Sequence, residues 1–225
     1  KFFHQTKKEN ISPEEKEFLT GYARRSGEFY LKANNIQAAA KIYAEADLVQ
    51  EAIAVYLSAG DVSRANKIAQ ELPDPAKVLE IYEKHDQLAK GFEIAAGIYQ
   101  KENRPLEAAK LWERAGNPRK AAEALEQGQR FKEAALLYEK LKETQKAVLL
   151  LEKAGEFYES ALLCQRLGQL DEAFRLFGQV TQDSQLRPEA LLMMGRISLQ
   201  QGRLEQAREV YRELVSLSSA TSADL

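Results

Sequence analysis

Alanine returns in phase along this chain, and that return constrains the fold more than any other feature. Aligned on the phrase typified by Lys120-Ala121-Ala122-Glu123-Ala124-Leu125, one alanine falls in each of seven units: Ala39, Ala65, Ala95, Ala121, Ala147, Ala173 and Ala207. The spacings are 26, 30, 26, 26, 26 and 34 residues. A second phrase, seen in Glu107-Ala108-Ala109-Lys110-Leu111-Trp112 and Glu133-Ala134-Ala135-Leu136-Leu137-Tyr138, marks Tyr30, Tyr56, Tyr82, Trp112, Tyr138, Cys164 and Ser198. Its spacings are 26, 26, 30, 26, 26 and 34. Self-similarity at such a period is the signature of a repeat architecture.

Half of a 26-residue unit leaves room for a helix of about ten residues, near 15 Å long, and a three-residue turn. The turns carry residues suited to left-handed or turn geometry. Asn34, Gly60, Asp86, Gly116, Gly168 and Gly202 follow the first helix of their pairs, with Lys142 the exception, and Pro73, Asn103 and Gly155 mark return turns. No segment alternates strictly, so no sheet is expected. Helices this short are marginal alone, because about 12–15 residues are needed to offset nucleation. Stability must come from stacking: an alanine methyl admits close approach of the second helix, the aromatic fills the space beside it, and each pair buries its remaining stripe on the next. Such an array curves into a superhelix whose concave face is lined by the first helix of each pair. Ser12-Pro13-Glu14-Glu15 is a helix start with a capping box, opening either one helix to about residue 33 or two helices broken near Gly21.

The apolar fraction of 44% and charged fraction of 29% suit a helical globular chain, not a disordered one. Thirty-two basic and 34 acidic residues are mixed along the chain for a net charge of −2. That balance argues against a nucleic-acid binder, which needs a basic face, and sets RNA binding by helical repeats aside as the least supported reading. The single cysteine, Cys164, precludes an intramolecular disulfide and suits a reducing, cytoplasmic setting. No apolar run approaches the roughly 18 residues of a membrane span, so no membrane insertion is expected. A start at Lys1, without a signal-peptide layout, is what a segment of a longer protein would show.

The last unit carries a family resemblance. Pro188 to Leu214 resembles a tetratricopeptide repeat, with Leu191, Met194, Gly195, Ala207 and Tyr211 where that family places packing residues. Ser198 replaces the usual aromatic and Leu214 the usual small residue. The six shorter units look like compact variants found in solenoids of vesicle-coat and intraflagellar-transport-type scaffolds. The resemblance implies an all-α, right-handed α-solenoid of about seven helix-turn-helix repeats over residues 13–216, with residues 1–12 a tail or linker and 217–225 a flexible tail. It also implies a non-catalytic scaffold that binds a partner protein's segment on the concave face. A self-assembly module of a coat- or transport-type complex is the alternative.

Two residues beyond the first-helix aromatic stands a cation in five units: Lys32, Lys84, Arg114, Lys140 and Arg166. The ordinary reading is a cation complementing the helix dipole in the last turn; the functional one is a basic rim for an acidic partner segment. Leu136, Tyr158, Leu162, Leu192 and Leu199 mark a more apolar inner face toward the C-terminus, either core or a groove suited to an amphipathic or extended peptide, and Arg196 is a further candidate for partner contact. Some family members clamp a C-terminal carboxylate with Lys and Asn; the equivalent places here hold Glu28, Ala54, Glu80, Lys110, Leu136, Leu162 and Arg196, so a chaperone-tail receptor is not expected. No catalytic residue, cofactor or metal site is expected. His4 and His85 lie far apart with no Cys or carboxylate at ligand spacing, and His85 reads as a helix-end residue. Cys164, in an aromatic's place, reads as a small buried hydrophobe. Phe2, Phe3, Lys7 and Lys8 read as part of a tail or the end of a preceding repeat. Val210, Leu214 and Val215 on the last helix are expected to be exposed.

Overall fold

The computed structural model describes residues 12–182 and 184–221, and all of their regular structure is helical. Fourteen helices follow one another: α1 (Pro13–Lys32), α2 (Ile36–Glu45), α3 (Val49–Ser58), α4 (Val62–Ala69), α5 (Pro75–Lys84), α6 (Leu88–Lys101), α7 (Pro105–Arg114), α8 (Pro118–Gln127), α9 (Phe131–Lys140), α10 (Thr144–Lys153), α11 (Phe157–Arg166), α12 (Leu170–Gly178), α13 (Arg187–Gln200) and α14 (Leu204–Thr221). Eight of them have ten residues, and most connections have three, as the 13-residue half-period requires. The Ser12 hydroxyl accepts from Glu15 N at 3.2 Å while Ser12 N donates to the Glu15 carboxylate at 3.0 Å, so the capping box forms. From it α1 runs unbroken through Gly21. At the other end α14 continues to Thr221, past the boundary expected at 216. Phe2, Phe3, His4, Lys7 and Lys8 lie outside the described residues.

The turn after each first helix is the same backbone event seven times. Asn34, Gly60, Asp86, Gly116, Lys142, Gly168 and Gly202 all have positive φ, between +56° and +75°. Lys142, at +62°, adopts the left-handed conformation despite its side chain, so the geometry of the pair overrides residue preference there. Asp47 and Gln129 do the same in return turns that the composition does not announce.

The seven alanines are all buried, six at 0% exposure and Ala207 at 2%. One of them, however, stands a helical turn off the packing position. Ala39, Ala65, Ala121, Ala147, Ala173 and Ala207 are each fourth in their helix and donate the helix's first bond to its N-cap carbonyl; in α6 that place belongs to Gly91, bonded to Gln87 O at 3.0 Å. Read through Gly91, the alanine series takes the 26, 26, 30, 26, 26, 34 spacing of the aromatic series. The four-residue excess is extra length in α6, which has 14 residues.

The contacts divide the chain into two compact units, Lys1–Ala124 and Leu125–Leu225, each a stack of helix pairs of the α-solenoid type. In the first, Ala23, Tyr43, Leu48 and Ala52 bury together. A larger cluster runs from Ile53 and Leu57 through Ala65 and Ala69 to Val78, Tyr82, Ile94 and Ile98, joining four consecutive helices. In the second, Val148, Leu150, Leu163, Leu176, Phe177, Leu191 and Ile197 are buried. The buried Ser160 hydroxyl donates to Val148 O at 3.2 Å, so its polar atom is satisfied within the core. Size is complementary across facing helices: a methyl at Gly27 would overlap the Tyr43 ring, and one at Gly195 the Tyr211 ring. Arg187, 8% exposed, closes the long connection before α13 by donating to Val180 O at 3.0 Å and to Glu213.

Candidate partner-binding surfaces

Lys32, Lys84, Arg114, Lys140 and Arg166 are each the final residue of a first helix, and all are exposed. In the first unit, Lys84 Nζ pairs with Glu80 at 2.7 Å one turn back in α5, and this bond and charge hold the Glu80 carboxyl below the usual range. The Arg114 guanidinium lies 5.1 Å from the centre of the Phe92 ring. In the second unit, Arg166 pairs with Glu139 of the preceding pair at 2.9 Å. Three of the five cations therefore already have partners inside their own unit.

On the first helices of the second unit, Leu136 on α9, Leu162 on α11 and Arg196 on α13 stand at equivalent positions, five residues before each C-cap. Leu136 is 51% exposed, Leu162 half-buried and Arg196 exposed; Leu199, on the same helix as Arg196, is 50% exposed. Tyr158 is half-buried, its ring set edge-on to Phe177 at 5.4 Å, so much of it belongs to the packing between α11 and α12. Leu192 is half-buried. On α14, Val210 is buried at 7% and Leu214 half-buried, against the expectation that both would face water; Val215 is exposed. The pairing of α13 with α14 covers them.

A second cation series was not singled out from the sequence. Arg64, Lys120 and Lys146 stand eight residues beyond Tyr56, Trp112 and Tyr138, on the first turn of the following helix, with the cation 5.9, 4.2 and 4.1 Å from the ring centre. Lys146 also donates to the Tyr138 hydroxyl at 2.7 Å and pairs with Glu126 at 3.3 Å, which raises its ammonium above the ordinary lysine range. The constant offset of eight was available in the sequence. It goes unnoticed because a ring–cation contact needs the turn geometry before it can be recognised.

Cys164 is fully buried, and burial first, then Glu172 and Glu152, pushes its thiol up. Among the described residues, no three His, Cys, Asp and Glu side chains gather as metal ligands, and no helix is long and apolar enough to cross a membrane.

The first unit carries more than one concavity. A cleft of about 380 Å³ opens where α4, α6, α7 and α8 meet, with Trp112 at its wall beside Lys101 and Lys120. The extra length of α6 supplies one side, including Gly97, at which an added methyl would touch nothing within 4 Å. Tyr82 donates to Asn66 Oδ1 at the rim at 2.7 Å, and burial pushes its phenol up to about 12.

Residues 166–217 match the sequence model of the family described as tetratricopeptide repeat. No curated protein matches the chain. Among solved structures, BtubC (BKLC) from P. vanneervenii shares 16% identity, with 94% of this chain and 93% of that one covered and a TM-score of 0.34. A Podosopora anserina putative kinesin light chain with nearly identical TPR-like repeats shares 17% identity, with coverage of 94% and 99% and a TM-score of 0.35.

Proposed function

We propose, from the match of residues 166–217 to the tetratricopeptide-repeat model, a class that generally mediates protein–protein interaction and is typically non-catalytic, a scaffold or adaptor that holds a partner segment on its first-helix face. The observation that supports this most is the pairing of an exposed leucine with a cation on one helix. Leu136 and Lys140 are four residues apart on α9, Arg196 and Leu199 three apart on α13, spacings that place each pair side by side. Leucines left in water beside cations suit a segment that is apolar and acidic by turns. Tyr158 and Leu162 offer further apolar edge on α11, while Lys32, Lys84, Arg114 and Arg166 extend the cationic character within their own units. A reduced cytoplasmic setting accords with the lone buried Cys164.

Capture of partners from a lysate tests the reading, with wild type compared against Leu136→Asp/Leu199→Asp and against Lys84→Glu/Arg114→Glu/Lys140→Glu. Both variants alter exposed positions and are expected to keep wild-type helicity while losing partners that the wild type retains. An unchanged partner set with a folded variant removes the corresponding part of the surface.

A second reading, self-assembly, is favoured by α1. Phe18, Tyr22 and Phe29 are 75%, 57% and 69% exposed at positions that share one helical face. Light scattering that shows a concentration-dependent dimer, abolished by Phe18→Glu/Phe29→Glu, supports it; a strict monomer at high concentration counts against it.

A further inference from the structure

We infer that the cleft between α4, α6, α7 and α8 binds a carboxylate side chain from an acidic segment of a partner protein, held by the Trp112 indole N–H and the ammonium groups of Lys101 and Lys120. The first observation is an orphan donor. Trp112 is 4% exposed, lines the cleft, and its Nε1 has no hydrogen-bond partner. Buried polar groups are paired in the great majority of cases, and each exception calls for an explanation. An indole nitrogen only donates, so the missing partner is an acceptor.

The acceptors that line the cleft, Asn66, Gln70, Glu93 and Gln100, all fail to reach the indole. Asn66 Oδ1 already receives the Tyr82 hydroxyl at 2.7 Å, and the Glu93 carboxylate is taken by Lys90 at 2.6 Å. An acceptor brought from outside would complete the indole without moving any of them. Its charge follows from what surrounds the indole: three lysines line the cleft against one carboxylate, in a chain whose net charge is −2. Lys120 Nζ sits 4.2 Å from the centre of the Trp112 ring, and Lys101 Nζ reaches only the Gln70 carbonyl, at 3.4 Å. Both keep donors to spare, since an ammonium has three.

Carboxylate suits this donor set. One neutral N–H and two ammonium groups can meet the two oxygens of a single carboxylate. Gly97 leaves the entrance open. That the carboxylate arrives on a peptide rests on the protein-interaction reading above, while the anion preference rests on the cleft alone. The site lies on second helices and the wall of α7, apart from the first-helix surface already proposed.

The chain contains one tryptophan, so its indole ¹H–¹⁵N resonance and its fluorescence report this site and no other. The full chain is titrated at low salt with an acetylated, amidated tetraglutamate peptide, with the tetraglutamine peptide, and with inorganic phosphate. The expected result is a saturable downfield shift of the indole proton with tetraglutamate, little shift with tetraglutamine, and weaker binding of phosphate. Lys101→Gln/Lys120→Gln, both exposed positions, should weaken tetraglutamate binding roughly tenfold or more, the loss of charge-assisted bonds. No indole shift with tetraglutamate means that no carboxylate reaches the N–H and overturns the proposal. So does an equal response to tetraglutamine, a stronger response to phosphate, or unchanged affinity in the double variant. Because the peptides need no cellular partner, tetraglutamate binding that survives in the Leu136→Asp/Leu199→Asp variant separates failure of the first-helix surface from failure of this cleft.

Discussion

Replacing Gly91 by alanine asks whether the short spacing of α5 and α6 is a packing requirement, because the two answers differ in sign. A glycine inside a helix costs about 0.8–1.0 kcal/mol relative to alanine, so a methyl with free space around it stabilises. At Gly91 that methyl would stand 2.8 Å from Tyr82 Cβ, closer than real side chains approach. Tyr82 cannot swing aside: its Cβ is one bond from the α5 backbone, its ring is fully buried, and its hydroxyl is held by Asn66. The helices themselves must separate, and overpacking of this kind costs about 1–3 kcal/mol. Gly97, six residues along the same helix with nothing within 4 Å, is the internal control. Gly97→Ala is expected to gain about 0.5–1 kcal/mol, while Gly91→Ala falls about 1–3 kcal/mol below it, since the propensity gain cancels between the two. Urea denaturation followed by far-ultraviolet circular dichroism measures the gap, which at an m of about 1–3 kcal/mol per M is on the order of 1 M in midpoint. A Gly91→Ala midpoint that rises as far as that of Gly97→Ala refutes the close-packing argument and returns Ala95 to the packing position.

Ala121→Phe should destabilise by about 1–3 kcal/mol or more, because the site is fully buried and neighbouring pairs share the contact; an unchanged melting temperature would contradict it. Lys142→Gly should gain about 0.5–1 kcal/mol in thermal denaturation, since a left-handed lysine costs about 1–2 kcal/mol and glycine's added chain entropy about 0.5–1; a lower melting temperature would count against the turn reading. With the Tyr82 phenol at about 12 in the folded chain and near 10 when unfolded, the folded state holds its proton longer. That contribution is complete below about pH 10 and is lost as pH rises through about 12, on the order of 2–3 kcal/mol at 1.36 per unit. Tyr82→Phe should lack this part of the alkaline decline, and parallel declines for the two proteins would contradict the burial argument.

The period was legible because packing repeats. A methyl that must be small in one pair must be small in the next, so Ala121, Ala147 and Ala173 announced the stack, and Asn34, Gly60 and Gly116 announced its turns. Lys142 and Gln129 did not, because a side chain that tolerates left-handed backbone poorly can still be held there by the helices on either side. Ala95 stands in the alanine series in place of Gly91, one turn earlier, because both are small and share a helix face, a choice that spacing cannot make. The cleft was illegible for a related reason: the 30-residue interval showed that four residues had been added, not that they extend α6 into a wall.

What the amino-acid order determined by itself, then, was the kind of fold, the number of its repeats and most of the small residues on which its helix pairs close, since these follow from local helix formation and a steric rule repeated at short range. Only the tertiary structure decided which polar groups meet. It placed Lys120 over Trp112, left that indole without an acceptor, paired Arg166 with Glu139, and turned Tyr158 toward Phe177. Those contacts join residues on different helices, and their geometry is set by how closely the helices pack.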